Sequence, residues 1–269
     1  MKLRLKKKFM GGCVAILCSL VALLIGHAAR AAGNDLGVVL LHGKGGSPSG
    51  HVRELAVALQ ARGYLVSTPT MPWAENRIYD ASFDDAMAEI DREVETLRSK
   101  GAKLVVVAGQ SLGANVALGY AAWRSGLAGV IALAPGHAPE SQAFAKRVGP
   151  DVSRARGLVA AGQGKEKQRF AELNQGRPMV VTASAEVYLS WVDPDGAAVM
   201  PKSAASFKAP IPLLIVNGNG DRTAQGRDYI FDRAPPHPKS RFVTVAADHF
   251  GVPGAAIDEV AAWLAALQQ

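Results

Sequence analysis

The sequence predicts an α/β domain in which helices cover both faces of a mostly parallel central sheet. Three observations predict it. The apolar runs are continuous instead of alternating, as strands buried on both faces require. Helical segments, either amphipathic or built from small residues, fall between those runs. Glycine-rich loops follow several of the runs, at the carboxyl ends of strands where parallel sheets gather their sites.

The first run, Leu36-Gly37-Val38-Val39-Leu40-Leu41, ends in the loop His42-Gly43-Lys44-Gly45-Gly46-Ser47-Pro48-Ser49. A helix carrying Val52, Leu55, Ala56, Ala58 and Leu59 follows and closes at Gly63, with His51 expected on it. Tyr64 to Thr68 reads as a second strand, stopped by Pro69. Phe83, Met87, Ile90, Val94 and Leu97 then recur at three- and four-residue steps, the spacing of one helix face. Leu104 to Ala108 is the next apolar run, Gly129 to Ala134 reads as a further buried strand, Pro212 to Val216 and Arg241 to Ala246 are further apolar runs, and Ile257 to Leu267 is a closing helix. The stretch 137–209 is too long for a simple connection. It combines charged helical patches such as Gly164 to Leu173 with Met179, Val180, Val181 and the cluster Tyr188, Leu189, Trp191. We expect it to be a cap or cleft wall, the alternative being plain scaffold of the sheet.

The third strand runs directly into Gly109-Gln110-Ser111-Leu112-Gly113 and then into the small-residue helix Ala114 to Ala122. A serine attacks an acyl carbon only if its oxygen stands clear of the sheet, and a sharp strand-to-helix turn achieves that with a strained backbone. Glycines at both ends of the pentapeptide let strand and helix approach around it. The alternative is a glycine-rich turn that binds a phosphate or only reverses the chain. A serine hydroxyl needs a base, and the base needs a carboxylate to fix its tautomer. Downstream, Leu213 to Asn217 leads through Gly218-Asn219-Gly220 to Asp221, and Arg241 to Ala247 leads through Asp248 to His249.

On His42-Gly43 after the first strand, the serine pentapeptide, the post-strand Asp221 and the late His249, the whole of 32–269 resembles the α/β-hydrolase fold family, esterases and lipases in particular. The order Ser, Asp, His is the order of that family. The resemblance implies Ser111 as nucleophile, His249 as general base and acid, and Asp221 as the residue that orients His249. It implies an oxyanion hole of backbone N–H groups, one on Leu112 and one on Lys44, with Gly45 as the alternative to Lys44 because a lysine replaces the usual apolar residue or glycine. In that reading the Lys44 side chain is incidental.

His42 belongs to the first loop, His137 follows a strand, and His237 sits between Pro236 and Pro238. Asp193 and Asp195 are the rival carboxylates, and Asp248 abuts His249 too closely in sequence to orient it. Trp73, Tyr79, Tyr188 and Trp191 are expected either to line an acyl or alcohol pocket or to be ordinary core aromatics. The expected activity is cleavage of a small-molecule or lipid-like carboxylic ester with no cofactor and no metal. Thioesterase, acyltransferase or peptidase chemistry, or a non-catalytic binding protein of the same fold, are the alternatives.

Residues 1–31 read as a secretory signal peptide: Lys2, Arg4, Lys6, Lys7 and Lys8, an apolar run from Gly11 to Ile25, and Ala29-Arg30-Ala31 as the cleavage site. An uncleaved membrane anchor is the alternative. The leader holds six of the 30 Lys and Arg residues and no acid, so the remainder carries 24 basic against 23 acidic residues. The high pI is thus a leader property, and no nucleic-acid surface is expected. Both cysteines, Cys13 and Cys18, also lie in the leader, so 32–269 can form neither a disulfide nor a thiolate site. We expect one exported domain, periplasmic or secreted, without a stable membrane span once the leader is removed.

Overall fold

The continuous apolar runs are strands of one sheet. The computed structural model describes residues 35–269, so the leader expected over 1–31 lies outside the described residues. In chain order the strands are β1 (Leu36–Leu41), β2 (Leu65–Ser67), β3 (Leu104–Gln110), β4 (Gly129–Leu133), β5 (Lys167–Asn174), β6 (Arg177–Ser184), β7 (Leu213–Gly218) and β8 (Arg241–Val245). Six form the central sheet in the order β2-β1-β3-β4-β7-β8, every pairing parallel. The helices are α1 (Arg53–Ala61), α2 (Phe83–Ser99), α3 (Leu112–Trp123), α4 (Gln142–Ala160), α5 (Ala185–Val192), α6 (Met200–Ala205), α7 (Arg227–Ile230), α8 (Val252–Ala255) and α9 (Ile257–Leu267).

Strand side chains point to alternate faces, and the runs are apolar throughout because both faces are covered. Val39, Leu41, Val107 and Ala132 face a core shared with α2, α3 and the 137–209 region. Val38, Leu40, Ile131 and Val216 face a second core closed by α1, α8 and α9, where Leu55, Leu59, Val260 and Trp263 are buried. Each such side chain contributes about 1.5–3 kcal/mol. α2 starts with a capping box: Ser82 Oγ accepts from Asp85 N–H while the Asp85 carboxylate accepts from Ser82 N–H. Its Phe83 ring reaches α3, where a Cβ on Gly119 would lie 2.5 Å from Phe83 Cζ, so small residues let the two helices close.

The 137–209 region departs from the expectation in one respect. Gly164 to Leu173 is not helical: Lys167–Asn174 is β5, paired antiparallel with β6 in a separate two-stranded sheet. Period-2 burial explains why, since Phe170, Glu172, Val181 and Ala183 point inward while their neighbours are more exposed. Gln175 and Gly176 make the turn with φ of 50° and 73°, the left-handed pair that a two-residue hairpin demands. α4 packs on β5 and contains Pro150, which cannot donate to the preceding turn. His51 lies just before α1, not on it. Among the described residues no helix is long and apolar enough to cross a membrane.

Candidate active site

Ser111 sits between β3 and α3 with φ 57° and ψ −117°, a conformation that costs a non-glycine residue of order 1–3 kcal/mol and is held by its surroundings. Its N–H donates to Leu133 O on β4 (3.0 Å), and its carbonyl accepts from Gly136 N–H (3.3 Å). A Cβ on Gly109 would fall 2.1 Å from Gly113 O, and one on Gly113 2.6 Å from His42 O; both glycines are sterically required. A Cβ on Gly136 would lie 2.9 Å from Ser111 Oγ and 3.5 Å from His249 Cε1, so serine oxygen and imidazole border one small space that only glycine leaves open.

Asp221 and His249 arrive from the ends of β7 and β8. Asn219 N–H donates to Val245 O and Gly220 N–H to Ala247 O, both at 2.9 Å, which ties the two loops together. His249 Nδ1–H donates to Asp221 Oδ2 (2.7 Å), while Oδ1 accepts from Thr223 N–H (2.8 Å) and Thr223 Oγ–H (2.7 Å). Burial would raise the Asp221 carboxyl. The Thr223 N–H, the His249 ring and the Thr223 hydroxyl outweigh it and hold the group below the usual carboxylate range, so Asp221 stays ionised. The rival carboxylates are elsewhere: Asp193 and Asp195 bind Arg156, and Asp248 Oδ1 accepts from Phe250 and Gly251 N–H.

Around the serine, Gly45 N–H is committed to Trp73 O (2.8 Å). Among the described residues Lys44 N–H and Leu112 N–H have no such partner; Leu112 opens α3, where the first amides lack intrahelical acceptors. The Lys44 side chain is not incidental. It is buried, and its three protons meet His137 Nδ1 (2.8 Å), Leu173 O (3.0 Å) and Glu172 Oε1 (3.1 Å). Glu172 Oε2 accepts from Tyr79 O–H (2.7 Å) and Oε1 from Leu173 N–H (2.7 Å). Burial favours the neutral acid, but Lys44, His137 and these two donors lower the Glu172 pKa and keep it charged. The first loop is thereby joined to β5 by an ion pair removed from water. Trp73, Tyr79, Tyr188 and Trp191 are buried core aromatics, with Tyr79 stacked on Trp191 at 5.3 Å, and are not among the lining of the two cavities that contain Ser111.

His137 donates from Nε2 to Trp191 O (2.6 Å), which leaves Nδ1 to accept from Lys44. Burial, then the Lys44 charge, push its pKa down to about 4. A histidine in an unfolded chain takes a proton near pH 6.5, so between pH 6.5 and about 4 the unfolded state binds the extra proton and stability falls as pH falls. The contribution is complete above pH 6.5. Urea midpoints at pH 4–7 are expected to decline by a slope that His137→Gln reduces, by about 2–3 kcal/mol over the window. His42, lowered by its own burial, keeps a residual slope; equal slopes in the two proteins would contradict this.

Gln175, at the hairpin tip, was not anticipated. Its Nε2–H donates to His249 Nε2 (2.9 Å), the ring nitrogen on the side away from Asp221. Two cavities, of about 200 Å3 and 320 Å3, flank the serine and share Lys44, Ser111 and Asn174. The smaller is walled by the first loop and by Phe250, which stacks on His51 at 4.7 Å. The larger lies between the Pro135-Gly136-His137 turn, the hairpin and the loop after Asp221. Among the described residues no cluster of three or more His, Cys, Asp or Glu side chains could hold a metal ion.

A parallel sheet with a strained serine after its third strand and an Asp–His pair on later loops defines an α/β hydrolase. The sequence model of the alpha/beta hydrolase family matches residues 38–263, and the chain belongs to that family. No curated protein matches it by sequence. Among solved structures it is similar to a metagenome-derived lipolytic enzyme, at 16% identity and TM-score 0.61 over 86% of this chain and 94% of that one. It is also similar to a carboxyl esterase from Bacillus coagulans in complex with glycerol (12%, TM-score 0.60, 87% and 90%). A monoacylglycerol lipase from Paleococcus ferrophilus gives 19% identity and TM-score 0.57 over 86% and 94%. At these identities the likeness is one of fold.

Proposed function

We propose that the protein is a serine hydrolase that cleaves a carboxylic ester through an acyl-enzyme on Ser111. The observation that carries this is the 2.7 Å Asp221–His249 bond beside a serine held at φ 57°, with the serine oxygen and the imidazole bordering one space. The lipolytic and carboxyl-esterase activities named for the similar structures support it. Ser111 Oγ attacks the carbonyl carbon as its proton passes to His249 Nε2. The carbonyl oxygen takes the negative charge and is bound by Leu112 N–H and Lys44 N–H, the amides left without other acceptors. The imidazolium, stabilised by Asp221, gives the proton to the departing alcohol. Water then enters, loses a proton to Nε2 and releases the acid, restoring Ser111.

Hydrolysis of short and long p-nitrophenyl esters by the parent protein tests this. We expect a burst of p-nitrophenol stoichiometric with enzyme wherever deacylation is the slower step. Inactivity on all esters would favour a binding protein of the same fold.

The proton transfer requires Gln175 to leave His249 Nε2. Replacing it with alanine removes a hydrogen bond worth about 0.5–1.5 kcal/mol, so Gln175→Ala is expected to speed phosphonate capture about 2- to 10-fold. A slower capture would instead make the amide an aid to the base.

A further inference from the structure

Among the described residues, the larger cavity is lined by one charge with nothing to neutralise it. Leu173, Phe144, Met200 and Pro135 supply apolar lining, and no aspartate or glutamate lines it. Two cations do. Lys44 cannot serve a ligand, since its protons are taken by Glu172, His137 and Leu173 O. Arg222 can. It follows Asp221 directly, lies exposed on the cavity wall, and among the described residues makes no hydrogen bond or ion pair. The neighbouring Asp221 carboxylate is fully engaged by His249 and Thr223.

A guanidinium presents paired donors that match the two oxygens of a carboxylate. Thr223, Gln225 and Ser141 add neutral polar groups to the same lining. A cavity of about 320 Å3 lies at the low end of the range for small-molecule sites and suits a short group. Resting on the ester-hydrolase reading above, we propose that the larger cavity selects esters with a short apolar segment ending in a carboxylate, which Arg222 binds. The carboxylate belongs either to the acyl or to the alcohol half, and both halves are tested below.

Two matched pairs separate them: p-nitrophenyl butyrate against p-nitrophenyl hemisuccinate, and phenyl acetate against 3-carboxyphenyl acetate. For one pair, the ratio of kcat/KM for the charged over the neutral ester is expected to fall about 5- to 10-fold in Arg222→Gln and further in Arg222→Glu. It should also shrink with added salt in the parent, as an exposed charge requires. Ratios unchanged in both pairs would overturn the proposal. Binding supplies a readout independent of catalysis: calorimetric titration of Ser111→Ala with both anionic esters, with and without Arg222→Gln. At least five-fold weaker binding of one of them in the double variant supports the carboxylate site even if the parent hydrolyses nothing, in which case only the ester-hydrolase reading fails. Equal binding in the two proteins overturns the Arg222 site whatever the activity.

Discussion

Ser111→Ala is expected to lower kcat for ester hydrolysis by about 10^4- to 10^6-fold while leaving the protein folded. The oxygen it removes is the proposed attacking atom, the one that borders the space beside Gly136 together with the His249 ring. Alanine keeps the Cβ that the elbow already accommodates at φ 57°, so the sheet and α3 have no reason to move. His249→Ala should cost about as much, because serine and base act as a unit and their losses do not add. Asp221→Asn should cost somewhat less: it removes the charge that stabilises the imidazolium and, with the amide oxygen held by Thr223, turns an N–H toward His249 Nδ1 and favours the wrong tautomer. Activity measured beside an unchanged unfolding temperature checks the set; an active Ser111→Ala protein would remove the mechanism.

The second large effect is on stability. Glu172→Gln keeps the shape of the side chain but leaves the buried Lys44 without its counter-ion. Breaking one half of a buried pair costs about 3–5 kcal/mol, which for a domain of this size is a fall in Tm of about 6–20 °C. Replacing both partners, as Lys44→Met with Glu172→Leu, should recover part of that loss, because no charge is then stranded. A fall of less than about 2 °C in Glu172→Gln would mean that the pair does not hold the first loop to β5. The same ion pair sets the position of the hairpin whose tip carries Gln175, so the double variant also reports on how firmly the tip is placed.

The four inner sheet strands were readable because burial on both faces leaves a mark within each segment: β1, β3, β4 and β7 are runs of mostly aliphatic residues, whereas the edge strands β2 and β8 are only partly buried and were legible from their β-branched and aromatic residues. The hairpin left no such mark. Its inward Glu172 reads as a surface charge until Lys44, far away in sequence, is seen to neutralise it, and its turn carries Gln175 where asparagine would signal the left-handed pair. α4 was hidden by Gly149-Pro150 in its middle.

At the site, Ser111, Asp221 and His249 could be picked out because each follows a strand, and the structure brings the last two into contact. Thr223 had a local signal, a hydroxyl two residues after the aspartate, of the kind that caps a carboxylate in a tight turn. The choice between Lys44 and Gly45 had none, because the carbonyl that occupies Gly45 N–H belongs to Trp73. Gln175 was illegible for the same reason: its partner lies 74 residues away, and only the folded hairpin brings them together.

The most direct test of the nucleophile is covalent capture with a fluorophosphonate, followed by tryptic digestion and mass spectrometry. Cleavage after Lys103 and Arg124 yields the peptide 104–124, in which Ser111 is the only serine. A stoichiometric adduct on that peptide, fragmenting to Ser111, is expected, and its loss in His249→Ala. An adduct on another residue, or none from a protein that hydrolyses esters, would contradict the proposed nucleophile.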